Sequence, residues 1–278
     1  DGSPVEVRFL AAGGATPFAN GTQAQAQVTG VVSGGGTTIS VVPPVGTVCG
    51  ANVATSVEVV LRGGPCAYAV GGTLTYLAPT LASLAPTTVD ALAPVGITLT
   101  GTNLPPNATV TVRFVATTGT IFESGTSPQA EITGVVNAGG TTVTVANVPG
   151  ATACQVAATV TASVSVILAD GCVVTPTTNT ITYTLPTITT LAPNTLRARF
   201  TNGLAVLSGT NFGGLPVNTP VRVRWASNGN IFADGTSNVF ETTGLTLGGS
   251  SLSTEVPDAT ICGAASATAS VTVFFPDG

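Results

Sequence analysis

Five cysteines are the residues of this sequence best suited to covalent chemistry, and they occupy two recurring positions. Cys49, Cys154 and Cys262 each precede a Val/Ser/Thr-rich stretch, and Cys66 and Cys172 follow one. No Cys-x-x-Cys pair and no histidine are present, so the spacing argues for disulfides over a zinc site. The odd count is expected to end in pairing with cysteines outside this window.

Other chemistry finds few candidates. Without histidine there is no Ser-His or Cys-His base, and without lysine there is no Ser-Lys variant. Paired carboxylates are the remaining option, but Glu123, Glu131, Asp234 and Glu241 read as unmatched between repeats and as solvated surface. Asp234-Gly235-Thr236 could offer oxygens to calcium, yet its counterparts Asn20-Gly21-Thr22 and Ser124-Gly125-Thr126 lack the carboxylate, so a hairpin turn is the better reading. The sequence therefore implies no enzyme, no cofactor and no metal. Trp225 replaces Phe9 and Phe114 in the repeat and reads as a core aromatic rather than a sugar platform. Arg8, Arg113 and Arg224 precede that aromatic and are expected to lie along the sheet or pair with an acid. Asn20-Gly21-Thr22 and Asn107-Ala108-Thr109 match glycosylation sequons.

These residues recur because the chain repeats itself. Val5-Glu6-Val7-Arg8-Phe9 returns as Val110-Thr111-Val112-Arg113-Phe114 and as Val221-Arg222-Val223-Arg224-Trp225, after 105 and 111 residues. Each copy is followed by a Phe-x-x-Gly-Thr turn at Phe18, Phe122 and Phe232. That period fits a string of small domains. Alternations such as Ile97–Thr100, Thr142–Val145, Ser163–Val166 and Ser270–Val273 have the period of half-buried strands, and no stretch has a helical period. Thr75–Pro86 recurs as Thr182–Pro193, placing a last strand almost directly before a first one, with no Gly/Ser linker between.

Composition sets outer limits. Charged residues are 7% of the chain and hydrophobic ones 44%, which is enough for several cores. A net charge of −5 with seven scattered arginines argues against nucleic acid. No apolar run reaches the ~20 residues of a membrane span. The absence of lysine also excludes Lys–Asn isopeptide cross-links.

The order Pro-x-Ile/Leu-x-x-Leu-x-Pro, strand, Gly101-Thr102-Asn103-Leu104 or Gly209-Thr210-Asn211-Phe212, then Val-x-Val-Arg-Phe, resembles the IPT/TIG domains. The resemblance implies all-β, immunoglobulin-like β-sandwiches arranged head to tail as a rod. It divides the chain into residues 1–78 (lacking the first strands), 79–185 (complete) and 186–278 (lacking the last strand). The chain then reads as a window cut from a longer repetitive polypeptide, unless neighbouring chains donate the absent strands. In an immunoglobulin-like order, the loop before the sixth strand and the hairpin after it lie at opposite ends of the domain. A strand of about eight residues spans roughly 25 Å, far beyond the ~4.4–6.8 Å between bridged Cα atoms. The favoured pairing is therefore interdomain, Cys49–Cys172, with partners for Cys66, Cys154 and Cys262 outside the window. The alternative is intradomain Cys49–Cys66 and Cys154–Cys172, because the loop Pro43–Val53 could fold back.

These readings point to a non-catalytic, extracellular or cell-surface structural protein, a stiff stalk, fibre or appendage of bacterial type. Its expected partners are copies of itself or further repeats, with a surface glycan or protein ligand as a further option. Alternatives are a ligand-binding adhesin or receptor ectodomain, or the spacers of a large secreted enzyme.

Overall fold

The computed structural model describes residues 2–61, 66–152, 159–198, 203–212, 214–262 and 265–275. Among these residues the structure is strand and turn, with one short 3-10 turn at Ala12–Gly14. The first sheet contains β1 (Pro4–Ala11), β2 (Gln25–Ser33), β3 (Thr38–Ser40), β4 (Val53–Val60) and β5 (Ala67–Tyr76), in the order β3-β2-β1-β4-β5.

The second sheet begins with β6 (Thr80–Ala85), β7 (Thr88–Asp90), β8 (Ile97–Thr102), β9 (Thr109–Ala116) and β10 (Gln129–Val136). It continues with β11 (Thr142–Val145), β12 (Thr159–Ile167), β13 (Val173–Val174) and β14 (Thr180–Thr184). Its order is β6-β8-β11-β10-β9-β12-β14-β7, with β13 on β12. The third sheet contains β15 (Thr187–Ala192), β16 (Leu204–Thr210), β17 (Pro220–Ser227), β18 (Val239–Gly248), β19 (Ser251–Glu255) and β20 (Ala269–Phe274). Its order is β15-β16-β19-β18-β17-β20. Each sheet with its own core is called a unit below.

The second unit is read most easily. β6-β8-β11-β10 and β9-β12-β14 follow the ABED and CFG orders of an immunoglobulin sandwich, joined along the β9–β10 hairpin. The first strand is shared between the layers: β6 pairs with β8, and β7 pairs in parallel with β14. The peptide between those halves, Ala85-Pro86, is cis, as is Ala192-Pro193 at the matching place in the third unit.

Alternation sets which side chains are buried. Along β9, Val110, Val112 and Phe114 face the core while Thr111 and Arg113 face outward. Phe9 and Trp225 hold the position of Phe114 and are also buried. The recurring turn adds a second aromatic layer. Phe18, Phe122 and Phe232 are buried, and each is followed by left-handed residues: Ala19 and Asn20, Glu123 and Ser124, Ala233 and Asp234. In each turn the Thr hydroxyl donates back to a carbonyl (Thr22 to Ala19, Thr126 to Glu123, Thr236 to Ala233), which holds the phenyl ring in place.

The last strand of a unit then packs a tyrosine edge-on against that phenylalanine. Tyr76 meets Phe18 with ring centroids 5.6 Å apart, and Tyr183 meets Phe122 at 6.1 Å. The two phenols differ in one respect. The Tyr76 hydroxyl donates to the Pro44 carbonyl at 2.8 Å, whereas the buried Tyr183 hydroxyl has no hydrogen-bond partner among the described residues.

Burial pushes both phenols above their ordinary range, Tyr183 much further. The folded state keeps its proton above pH ~10, where an unfolded tyrosine loses it. Stability from this source is full below that pH and declines as pH rises past it. Tyr183→Phe is expected to be neutral or stabilising at pH 7 and to flatten the alkaline decline. Tyr76→Phe should cost about 1 kcal/mol. Urea unfolding of both variants at neutral and alkaline pH checks this.

Candidate functional site: the joints between units

Unit follows unit with almost no intervening chain. β5 ends at Tyr76 and β6 begins at Thr80; β14 ends at Thr184 and β15 begins at Thr187. The residues that bear on function gather around these joints.

The disulfide joins Cys49, in the loop before β4 of the first unit, to Cys172, in the turn between β12 and β13 of the second. Its Cα atoms are 5.6 Å apart, and it closes a sequence separation of 123 residues. Asp170 shapes the turn: its carboxylate accepts the Cys172 N–H at 2.9 Å, and the Leu168 N–H donates to the Cys172 carbonyl at 2.9 Å. Neither Cys49–Cys66 nor Cys154–Cys172 forms, because the bond is already made between units. β4 explains this, since its eight residues separate Cys49 from Cys66 by roughly 26 Å. Cys66 and Cys262 are exposed free thiols, and Cys154 lies outside the described residues.

A second device was present in the sequence as a motif without an assigned role. In Gly101-Thr102-Asn103 and Gly209-Thr210-Asn211 each residue has a task at the joint. A Cβ on Gly101 would overlap the Thr80 carbonyl oxygen, and one on Gly209 would overlap that of Thr187, so glycine is required where the first strand crosses. The next hydroxyl bridges the strands, Thr102 to Thr80 at 2.9 Å and Thr210 to Thr187 at 2.7 Å. The asparagine adopts a left-handed φ of 57° in Asn103 and 61° in Asn211. Its side-chain amide donates to the carbonyl of the connecting segment, Asn103 to Ala78 at 3.1 Å and Asn211 to Leu185 at 2.9 Å.

Ala78 is held from both directions, because its N–H also donates to Asn52 of the preceding unit at 2.8 Å. At the second joint, Gly214 approaches Leu92 so closely that a Cβ would overlap the Leu92 carbonyl. The sequence signal for this clamp is the recurrence of Gly-Thr-Asn at nearly the same distance after both joints, Asn103 lying 25 residues after Ala78 and Asn211 26 after Leu185.

The remaining candidates resolve into structural roles. Asp234 shares the turn backbone of Asn20 and Ser124, with φ of 58°, 56° and 58°. Trp225 is 5% exposed and its indole N–H donates to the Thr242 hydroxyl at 3.1 Å.

The acids require a correction. Glu131 and Glu241 are matched between repeats: each lies directly across the strand pair from the recurring arginine, Glu131 opposite Arg113 and Glu241 opposite Arg224. Arg113 donates to Glu131 at 2.7 Å and Arg224 to Glu241 at 2.8 Å, while Arg8 reaches Glu6 on its own strand. The hydrogen bond from Arg224 holds the Glu241 carboxyl below the usual carboxylate range. Solvent screens these half-exposed pairs, so they add little to stability. They decorate the sheet and form no acid–base pair. Asn20 and Asn107, of the two sequons, are exposed in left-handed turn positions.

No family model and no curated protein sequence matches this chain. Among solved structures, a tetra-tandem repeat in the extending region of a large adhesion protein aligns at 16% identity over 98% of this chain and 66% of that one, with a TM-score of 0.30. The plexin A4 extracellular region aligns at 16% identity over 76% of this chain and 15% of that one, with a TM-score of 0.26. An E. coli alpha-2-macroglobulin aligns at 11% identity over 99% of this chain and 19% of that one, with a TM-score of 0.22. At these scores the alignments carry no argument about function.

Removing one clamp should loosen one joint. Asn211→Ala is expected to cost about 1 kcal/mol and to increase proteolysis between residues 184 and 188 several-fold, with cleavage near residues 77–79 unchanged. Asn103→Ala should give the reverse pattern. Mass spectrometry of limited digests distinguishes them.

Proposed function

We propose that the protein is a non-catalytic, extracellular structural repeat protein. Immunoglobulin-like units of the IPT/TIG type, spanning residues 1–78, 79–185 and 186–278, act in series as a stiff stalk, fibre or surface appendage. The observation that carries this reading is the Cys49–Cys172 bond between successive units.

A hinge needs slack, and here two kinds of attachment remove it. The peptide connection between the first two units is three residues long, Leu77 to Pro79, and the disulfide adds a covalent tie away from it. Two separated attachments resist bending that either alone would permit. In the chain-entropy account, a cross-link closing a loop of this length stabilises by about 4–5 kcal/mol. A persistent disulfide also fits an oxidising compartment, outside the cytosol. The third strand, the Phe turn and the Gly-Thr-Asn clamp recur with their hydrogen bonds, which suits a polymer of equivalent parts better than one specialised domain. A ligand-binding array has weaker support, because the one candidate aromatic platform, Trp225, is buried and hydrogen-bonded.

Spin labels on the outer faces of β2 and β10 test the role by pulsed distance measurement. The oxidised protein should give a narrow distribution between the first two units, and Cys49→Ser with Cys172→Ser should broaden it at least about twofold without unfolding either unit. A broad distribution in the oxidised protein would contradict the mechanical reading.

A further inference from the structure

Asn20 and Asn107 differ from the asparagines that hold the fold together. Asn52, Asn103, Asn137 and Asn211 use their side chains in hydrogen bonds to backbone or to a nearby hydroxyl. Asn20 and Asn107 are exposed, and their side-chain amides have no hydrogen-bond partner among the described residues. Each is followed two positions later by a threonine, Thr22 or Thr109, with Gly21 or Ala108 between. That is the pattern an N-linked sugar requires.

The turns do not need asparagine with that neighbour. Ser124 and Asp234 hold the place of Asn20 with φ of 58° each, against 56°. Asn218 holds the place of Asn107 with φ of 67°, against 57°, but Pro220 stands where a threonine would complete the sequon. Both sequons therefore belong to the first joint, and the matching positions of the second joint, Ser124 and Asn218, form none.

Their placement brings them to the disulfide. Asn20 lies in a crevice of about 400 Å³ whose walls include Thr16, Thr47, Cys49, Asp170 and Cys172. Cys49 is exposed and Cys172 is 6% exposed, so the bond is open to solvent from the Cys49 side. Asn107 is on the same end of the second unit as Cys172, because Thr111 of β9 lies opposite Ile167 at the end of β12. The two sequons thus flank one joint, one from each unit.

We propose that Asn20 and Asn107 carry N-linked oligosaccharides and that the one on Asn20 covers the Cys49–Cys172 bond. This rests on the extracellular reading above, because the sugar donor is met on the way out of the cell. The donor class is a lipid-linked oligosaccharide diphosphate, and a separate transferase joins it to the chain. The asparagine Nδ2 attacks the anomeric carbon, the N–C bond forms as the C–O bond to the diphosphate breaks, and the lipid diphosphate leaves. The amide nitrogen gives one proton to a base of the transferase. The threonines and the Asp170 carboxylate of the crevice suit a hydroxyl-rich chain. Exchange with an outside thiol needs in-line access to a sulfur, which a sugar in this crevice obstructs.

The test uses the protein isolated from its own source. Enzymatic release of N-linked sugars in heavy-oxygen water converts each sugar-bearing asparagine to a labelled aspartate, which peptide mapping locates. Label is expected at Asn20 and at Asn107. Asn20→Asp removes the first site while keeping a residue that the equivalent turn already accepts as Asp234. In the secreted protein it should raise the rate at which glutathione reduces Cys49–Cys172 several-fold, with Asn107→Asp nearly unchanged. The added negative charge alone would slow an anionic thiol, so a faster rate reports lost cover. Absence of label at either asparagine would overturn the proposal, as would equal reduction rates in the Asn20→Asp and unsubstituted proteins. Failure of the stiff-joint reading is distinguishable, since it would show as absence of the Cys49–Cys172 bond whether or not sugars are present.

Discussion

The organisation of this molecule depends on one constraint: the first two units are tied at two separate places. The peptide joint is a single path, and a single path of two or three residues still permits rotation. The Cys49–Cys172 bond adds a second path, from the loop before β4 to the turn after β12. Those positions lie at opposite ends of their own units, so a bond between them requires the end of one unit to face the start of the next. The disulfide thus fixes the order and the contact of the first two units together.

The non-covalent features of the joint serve the same end with small residues and neutral hydrogen bonds. Glycine lets the first strand cross at backbone distance, threonine hydroxyls bridge the crossing, and a left-handed asparagine holds the connecting carbonyl. None of these contacts depends on charge, so a chain with 7% charged residues loses nothing in building them, and salt would screen none of them. The arginine–glutamate pairs on the sheet faces are a minor supplement.

Much of this was legible in the sequence, for physical reasons. Val/Thr alternation can bury one face only as a strand, so Val110–Phe114 and its copies identified β1, β9 and β17. The interdomain pairing followed from the length of β4 once an immunoglobulin-like order was assumed. Other features were not legible. The role of Asn103 depends on a carbonyl 25 residues upstream that approaches only after β6 folds onto β8. Glu131 and Glu241 looked unmatched because their equivalence is one of strand register, Arg113↔Glu131 and Arg224↔Glu241, which composition does not reveal. The approach of Gly214 to Leu92 joins residues 122 positions apart in two units and leaves no local signal.

The most direct measurement is disulfide mapping of the native protein by mass spectrometry under non-reducing, thiol-blocked conditions. The account predicts a linked peptide pair containing Cys49 and Cys172 as the principal species. A Cys49–Cys66 pair in its place would contradict it, since the tie would then lie within one unit and leave the joint a single covalent path.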